Sequence, residues 1–248
     1  MGDNSSGFQN ETDLVTALDN KHFKEINSNL QNFIHFICDN VSESDIILCK
    51  KIGGQCKCDL EISVKSTLFH LSLKKGSGNS VHQEPIDTFI THLKDTVPMS
   101  GSIEDFLKFF VWGDGTTDGS GEKKDRLSAS EIKNRYPEKI EAITSFFLAN
   151  RESLLHRFLF SGIEDNVPVD GLYYGTSKKG LWAWSKEIKD FMRSQNNTSP
   201  LSIYNLSFQA WNRAINGTSE HKRGVVQLKW ASLERNLQSI KENRDGKK

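Results

Sequence analysis

Two runs of strict apolar–polar alternation joined by a short turn constrain this chain more than any other feature. Leu60, Ile62 and Val64 alternate with Asp59, Glu61 and Ser63; Lys65-Ser66-Thr67 supplies the turn; Phe69, Leu71 and Leu73 then alternate with His70, Ser72 and Lys74. Side chains on a strand point to opposite faces with period two, so each run reads as a strand with one apolar and one polar face. Pairing the two brings the polar faces together, with Asp59 beside Ser72 and Lys74. The apolar face needs helices to cover it, and the flanking sequence supplies them. Asn10 reads as a cap ahead of Leu14, Val15 and Leu18, and Phe23, Ile26, Leu30, Phe33, Ile34 and Ile37 recur at helical spacing. Ile86, Phe89, Ile90 and Leu93 mark a third helix, with Pro85 in its first turn.

The chain of 248 residues is long enough for one large domain. The expected layout is a single domain over 1–248, with a core at about 8–112, a helical middle at 113–165, further elements at 166–235 and a tail at 236–248. Gly113 to Gly121 reads as a flexible surface loop, a hinge or insertion. Lys plus Arg equal Asp plus Glu at 32 each, so no global positive field draws the chain onto a polyanion, and contacts to nucleic acid must come from local clusters. Cys38, Cys49, Cys56 and Cys58 lack zinc-site spacing and read as reduced structural thiols in a cytoplasmic protein. No apolar run is long enough to span a bilayer, so no membrane partner is expected.

An acid and a lysine on neighbouring strands suit phosphodiester hydrolysis, which needs an activated water and charge neutralisation at phosphorus. Mg²⁺ supplies both from oxygen ligands and is commonly held by one or two carboxylates. Asp59 is the first-choice ligand, the Leu73 carbonyl a second, and Lys74 the group that orients or activates the water. Lys74-Lys75-Gly-Ser-Gly-Asn-Ser80 then gathers cations, small residues and donors, including Lys75, Ser77, Asn79 and Ser80, where a backbone can approach phosphates. On the polar face Glu61 reads as a solvated carboxylate, and His70 and His82 as ordinary polar contacts.

In this arrangement the chain resembles the PD-(D/E)xK nucleases, whose signature is an acid on one strand and acid-x-Lys on the next. The match is Asp59 followed by Ser72-Leu73-Lys74, with Cys58 in place of the proline and Ser72 in place of the second carboxylate. Phe8-Gln-Asn-Glu11 is similar to the opening of small type II restriction endonucleases, in which an early glutamate reaches the metal. His82-Gln83-Glu84 is expected to open the helix after the hairpin, where related enzymes carry a further polar residue. The resemblance implies a restriction-endonuclease-like α/β fold, a mixed sheet core flanked by helices with a C-terminal β-hairpin elaboration. It implies catalysis by Asp59, Ser72, Lys74 and Glu11, with Mg²⁺ held by Asp59, Leu73 and Glu11, in the cytoplasm of a prokaryote.

Near the C-terminus Leu206 to Arg213 and Arg223 to Trp230 alternate as a second strand pair. Gln209, Trp211 and Arg213 share a face, as do Gln227 and Lys229. Glutamine suits an adenine edge and Arg or Lys a guanine edge, and a two-stranded ribbon can enter the major groove of double-stranded DNA. Asn212, Lys222, Arg223 and Gln83 complete the expected DNA contacts. The expected activity is a Mg²⁺-dependent type II restriction endonuclease, for which a homodimer would suit a symmetric site. The competing expectations are a catalytically inactive DNA-binding module of the same fold and a structure-selective repair nuclease.

Overall fold

The computed structural model describes residues 5–54, 56–76, 79–164 and 167–246. In chain order the elements are α1 (Ser5–Leu18), β1 (Lys21–His22), α2 (Ser28–Ile37), β2 (Ile46–Lys51), β3 (Leu60–Val64), β4 (Thr67–Lys74), β5 (Ser80–Pro85) and α3 (Ile86–Thr96). Then come α4 (Gly101–Trp112), α5 (Ala129–Arg135), α6 (Pro137–Ala149), α7 (Arg151–His156), β6 (Gly171–Thr176), β7 (Lys179–Trp184) and α8 (Ser185–Gln195). The last are β8 (Ser202–Ile203), β9 (Leu206–Ala210), β10 (Val225–Lys229) and α9 (Leu233–Asp245). The fold is mixed α/β. It divides into two compact units, one of residues 1–79, 159–191 and 232–248, the other of 80–158 and 192–231. The divisions expected near 112 and 165 therefore fall inside units.

In the first unit the described strands form a sheet of order β1-β2-β3-β4-β6-β7. It is mixed because β4 and β6 run parallel while the other neighbours are antiparallel. The hairpin has the register expected from alternation, with Leu60 opposite Leu71, Ile62 opposite Phe69 and Val64 opposite Thr67. Lys65, at φ 52°, makes the tight turn. Ile47, Cys49, Leu60, Ile62, Val64, Phe69, Leu71 and Leu73 are buried in one core with Leu14 and Leu18 of α1 and Leu30, Phe33, Ile34 and Ile37 of α2. Asn27 caps α2 by accepting from the Leu30 N–H at 3.1 Å. The cap expected at Asn10 is absent, since α1 begins at Ser5. Asn10 is instead buried, and its Nδ2 donates to the Gly175 carbonyl at 2.9 Å.

The second unit holds an antiparallel sheet of order β5-β10-β9-β8. Its core gathers aromatic rings around Phe208, which lies 4.9 Å from Phe147, 5.9 Å from Phe89 and 6.1 Å from Phe110, centroid to centroid. Two expectations are corrected here. His82-Gln83-Glu84 does not open a helix but lies in β5, paired along β10; the helix starts at Ile86, after Pro85. The Gly113–Gly121 segment is held in place, because buried Asp114 accepts from Thr116 N at 3.1 Å, Thr116 Oγ1 at 2.7 Å and Arg223 Nη2 at 2.6 Å. Burial works to raise the Asp114 pKa, but these bonds outweigh it and hold the carboxyl below its ordinary value.

Candidate functional site

The ladder between β3 and β4 continues one residue past β3. Asp59 N donates to the Leu71 carbonyl at 2.9 Å, and the Asp59 carbonyl accepts from Ile52 N at 3.0 Å. With its backbone fixed on both sides, Asp59 turns its carboxylate to the face shared by Ser72 and Lys74. Oδ2 accepts from Ser72 Oγ at 3.2 Å, Leu73 N at 2.5 Å and Lys74 Nζ at 3.3 Å. Lys74 Nζ also donates to the Leu73 carbonyl at 2.9 Å. One cation, the ammonium, is thus shared by the carboxylate of Asp59 and the carbonyl of Leu73, the oxygen pair expected to hold Mg²⁺. Both acceptors are hard oxygens, the donor type that Mg²⁺ takes.

Ser72 is buried and serves the carboxylate as a donor. Cys58, in the position of the missing proline, is also buried, and its Sγ lies 3.2 Å from the Leu60 carbonyl. Burial pushes its thiol up to about 12, which keeps it protonated and chemically quiet. All four cysteines are free. Glu11, expected to complete the metal sphere, is engaged by a neighbouring cation. Its carboxylate pairs with Lys51 at 2.9 Å, and Lys51 sits opposite Leu60, whose side chain points into the helical core. Among the described residues no group of three or more His, Cys, Asp or Glu side chains forms a metal cage.

A second polar line runs along the same sheet face. Glu61 pairs with Lys50 at 2.7 Å and lies 3.7 Å from His70 Nε2, while His70 Nδ1 lies 3.3 Å from Asp170 Oδ2. Asp170 Oδ2 also accepts from His70 N at 2.8 Å. Glu61 is therefore engaged rather than solvated, and His70 makes polar contacts. Asp170 carried no sequence signal, because it reaches the site through the parallel pairing of β6 with β4.

The expected DNA contacts divide into two groups. Arg213, Arg223 and Gln227 are corrected to structural roles. Arg213 is buried; Nε donates to the Phe110 carbonyl at 3.1 Å, Nη2 donates to the same oxygen, and the guanidinium lies 4.7 Å from the Phe110 ring. Burial lowers its pKa to about 10. Arg223 is bound to Asp114, and buried Gln227 donates to Ser80 Oγ at 3.1 Å. Nor is β9–β10 a free ribbon, because β10 is flanked by β5 and β9. The register aligns Gln83, Gln227 and Gln209 across three strands of one sheet face. Gln209, Asn212 and Lys229 are half-buried, Gln83 is exposed, and Lys222 lies 4.8 Å over the Trp211 ring. Lys75 is exposed and Asn79 takes φ 50°; Ser77 lies outside the described residues. Arg213→Ala, which strands the Phe110 carbonyl, should lower stability by about 1–3 kcal/mol in urea unfolding rather than alter DNA selectivity.

Among the described residues no helix is long and apolar enough to cross a membrane. No protein-family model and no curated protein matches the chain.

Proposed function

We propose that this chain is a Mg²⁺-dependent endonuclease of double-stranded DNA, of the PD-(D/E)xK kind and the type II restriction class. The observation that carries the reading is the shared ammonium of Lys74, 3.3 Å from Asp59 Oδ2 and 2.9 Å from the Leu73 carbonyl. Asp59 and the Leu73 carbonyl would hold the ion, which when bound supplies Lewis-acid polarisation of the phosphodiester and a more acidic water. Lys74 orients the attacking water and offsets negative charge as it develops on the phosphoryl oxygens. Ser72 fixes the rotamer of Asp59 by donating to it, and Leu73 N does the same from the backbone. Gln83, Gln209 and Asn212, with Lys229 and Lys222, are the side chains left to meet DNA in the second unit. A homodimer would serve a symmetric site, and a prokaryotic cytoplasm is the setting this activity implies.

The second reading is an inert DNA-binding module, and Ser72 favours it by bringing no second carboxylate. The readings separate when mixed plasmid and phage DNA is incubated with the protein in Mg²⁺ or in EDTA. Discrete fragments in Mg²⁺ alone are the expected result. A gel shift without cutting supports the inert module, and cuts confined to branched or damaged duplexes support a repair nuclease.

A further inference from the structure

The strand that carries Lys74 runs directly into a cavity of about 330 Å³, lined in part by Lys75, Tyr174, Thr176, Lys179, Leu181 and Glu234. Its position follows from the topology. Because β4 and β6 are parallel, their C-terminal ends lie at the same sheet edge, with Lys74 opposite Tyr174. The short β6–β7 connection supplies the far wall, and on the β4 side the lining begins at Lys75, the residue after Lys74.

Charge and surface chemistry define what fits. Lys74 is already paired with Asp59. Lys75 and Lys179 are exposed, and neither has a carboxylate partner among the described residues. Glu234 is the one carboxylate among the described lining residues, and it stands near Tyr174, whose phenol pKa is raised by burial first and by Glu234 next. Two ammonium groups against one carboxylate leave a net positive charge, which favours a phosphate ester. Leu181 and the Tyr174 ring give the cavity an apolar wall, which suits a sugar or base and does nothing for a free inorganic anion. The volume is at the lower end of the range for small-ligand sites, the size of one nucleotide.

The walls are set before any ligand arrives. Gly175 has φ 128°, and a Cβ there would lie 2.3 Å from the Lys179 carbonyl. Its own carbonyl is held by buried Asn10 at 2.9 Å, and the Tyr174 hydroxyl donates to the Gly76 carbonyl at 3.2 Å, joining the exit of β4 to β6. A preformed wall avoids an ordering cost on binding.

We infer that this cavity is a mononucleotide subsite, taking a phosphate between Lys75 and Lys179 and the attached nucleoside against Tyr174 and Leu181. Its role as the seat of the nucleotide next to the cleaved bond rests on the nuclease reading; its affinity for a nucleotide does not. The test is calorimetric titration of the full chain with thymidine 5′-monophosphate, with thymidine and with inorganic phosphate. The same titrations are made on the Lys75→Ala/Lys179→Ala double variant, whose two changes are at exposed side chains and whose thermal melt reports folding. The nucleotide should bind more tightly than either fragment, and the double variant, which removes both charge-assisted contacts, should weaken it by at least about tenfold. Phosphate binding as tightly as the nucleotide, or a folded double variant with unchanged affinity, overturns the subsite. DNA cutting by the parent chain is measured alongside. Cutting without the nucleotide effect removes the subsite and leaves the nuclease, whereas the nucleotide effect without cutting leaves the subsite and removes the nuclease.

Discussion

Arg157→Ala is expected to cost about 3–5 kcal/mol of unfolding free energy, the largest stability loss of any single change considered for this chain. The Glu84 side chain is fully buried and accepts from Arg157 Nη2 at 2.6 Å and Arg157 Nε at 3.3 Å, with His82 Nε2 at 2.7 Å. Without the guanidinium, a buried carboxylate keeps a single partner and cannot return to water. The effect has a pH signature. Burial works to raise the Glu84 pKa, but the bonds from His82 and Arg157 outweigh it and leave the carboxyl below its ordinary value of 4.5. A group depressed in the folded state adds stability that is complete above its unfolded value and is lost as pH falls through the folded one. The parent chain should therefore keep this contribution at neutral pH and lose it only below about pH 4.5. In the alanine variant burial acts against a weaker opposition, so its stability should begin to fall at higher pH. Urea unfolding of both chains between neutral and acid pH makes the comparison, and a variant within about 1 kcal/mol of the parent at neutral pH would refute the role given to the pair.

Lys74→Ala is expected to lower the rate of Mg²⁺-dependent DNA cutting by about 10²–10⁴, the range for removing a group that positions or transfers a proton. Folding should hardly respond. Both side chains of the Asp59–Lys74 pair are about a quarter exposed, at 24% and 23%, and pairs of this kind contribute about 1 kcal/mol or less. Lys74→Arg should not restore the rate, because a planar guanidinium does not reproduce a compact ammonium that reaches two oxygens. Single-turnover cutting with protein in excess separates a slowed step from weakened binding. An unchanged rate in the alanine variant would move the chemistry away from β4.

What the sequence disclosed about the site was what a local period can carry. Alternation fixed the register that places Asp59 against Ser72 and Lys74, because a slip of one residue would have turned Leu60, Ile62 and Val64 out of the core. It could not disclose Asp170, a hundred residues from His70, because parallel pairing across a long crossover leaves no turn signal. Period two also reports which side chains share a face without reporting what covers that face. By alternation alone Arg213 and Gln227 read as free DNA contacts, although helix α4 supplies the carbonyl that takes Arg213 and β5 the hydroxyl that takes Gln227. Strand β5 itself was hidden by its polar His82-Gln83-Glu84 and by Pro85, which suit a helix entry equally well; pairing with β10 decided between them. The glycines of 113–121 pointed to freedom, and a single buried acid, Asp114, removed it.

The proposed binding of one divalent ion by Asp59 and the Leu73 carbonyl is tested most directly by electron paramagnetic resonance titration with Mn²⁺ as a spectroscopic substitute for Mg²⁺. Parent and Asp59→Asn chains are compared, with and without a duplex oligonucleotide. The parent should bind an ion that the DNA tightens and that Mg²⁺ displaces, and the folded asparagine variant should lose that ion. Identical titration curves for the two chains would contradict the account.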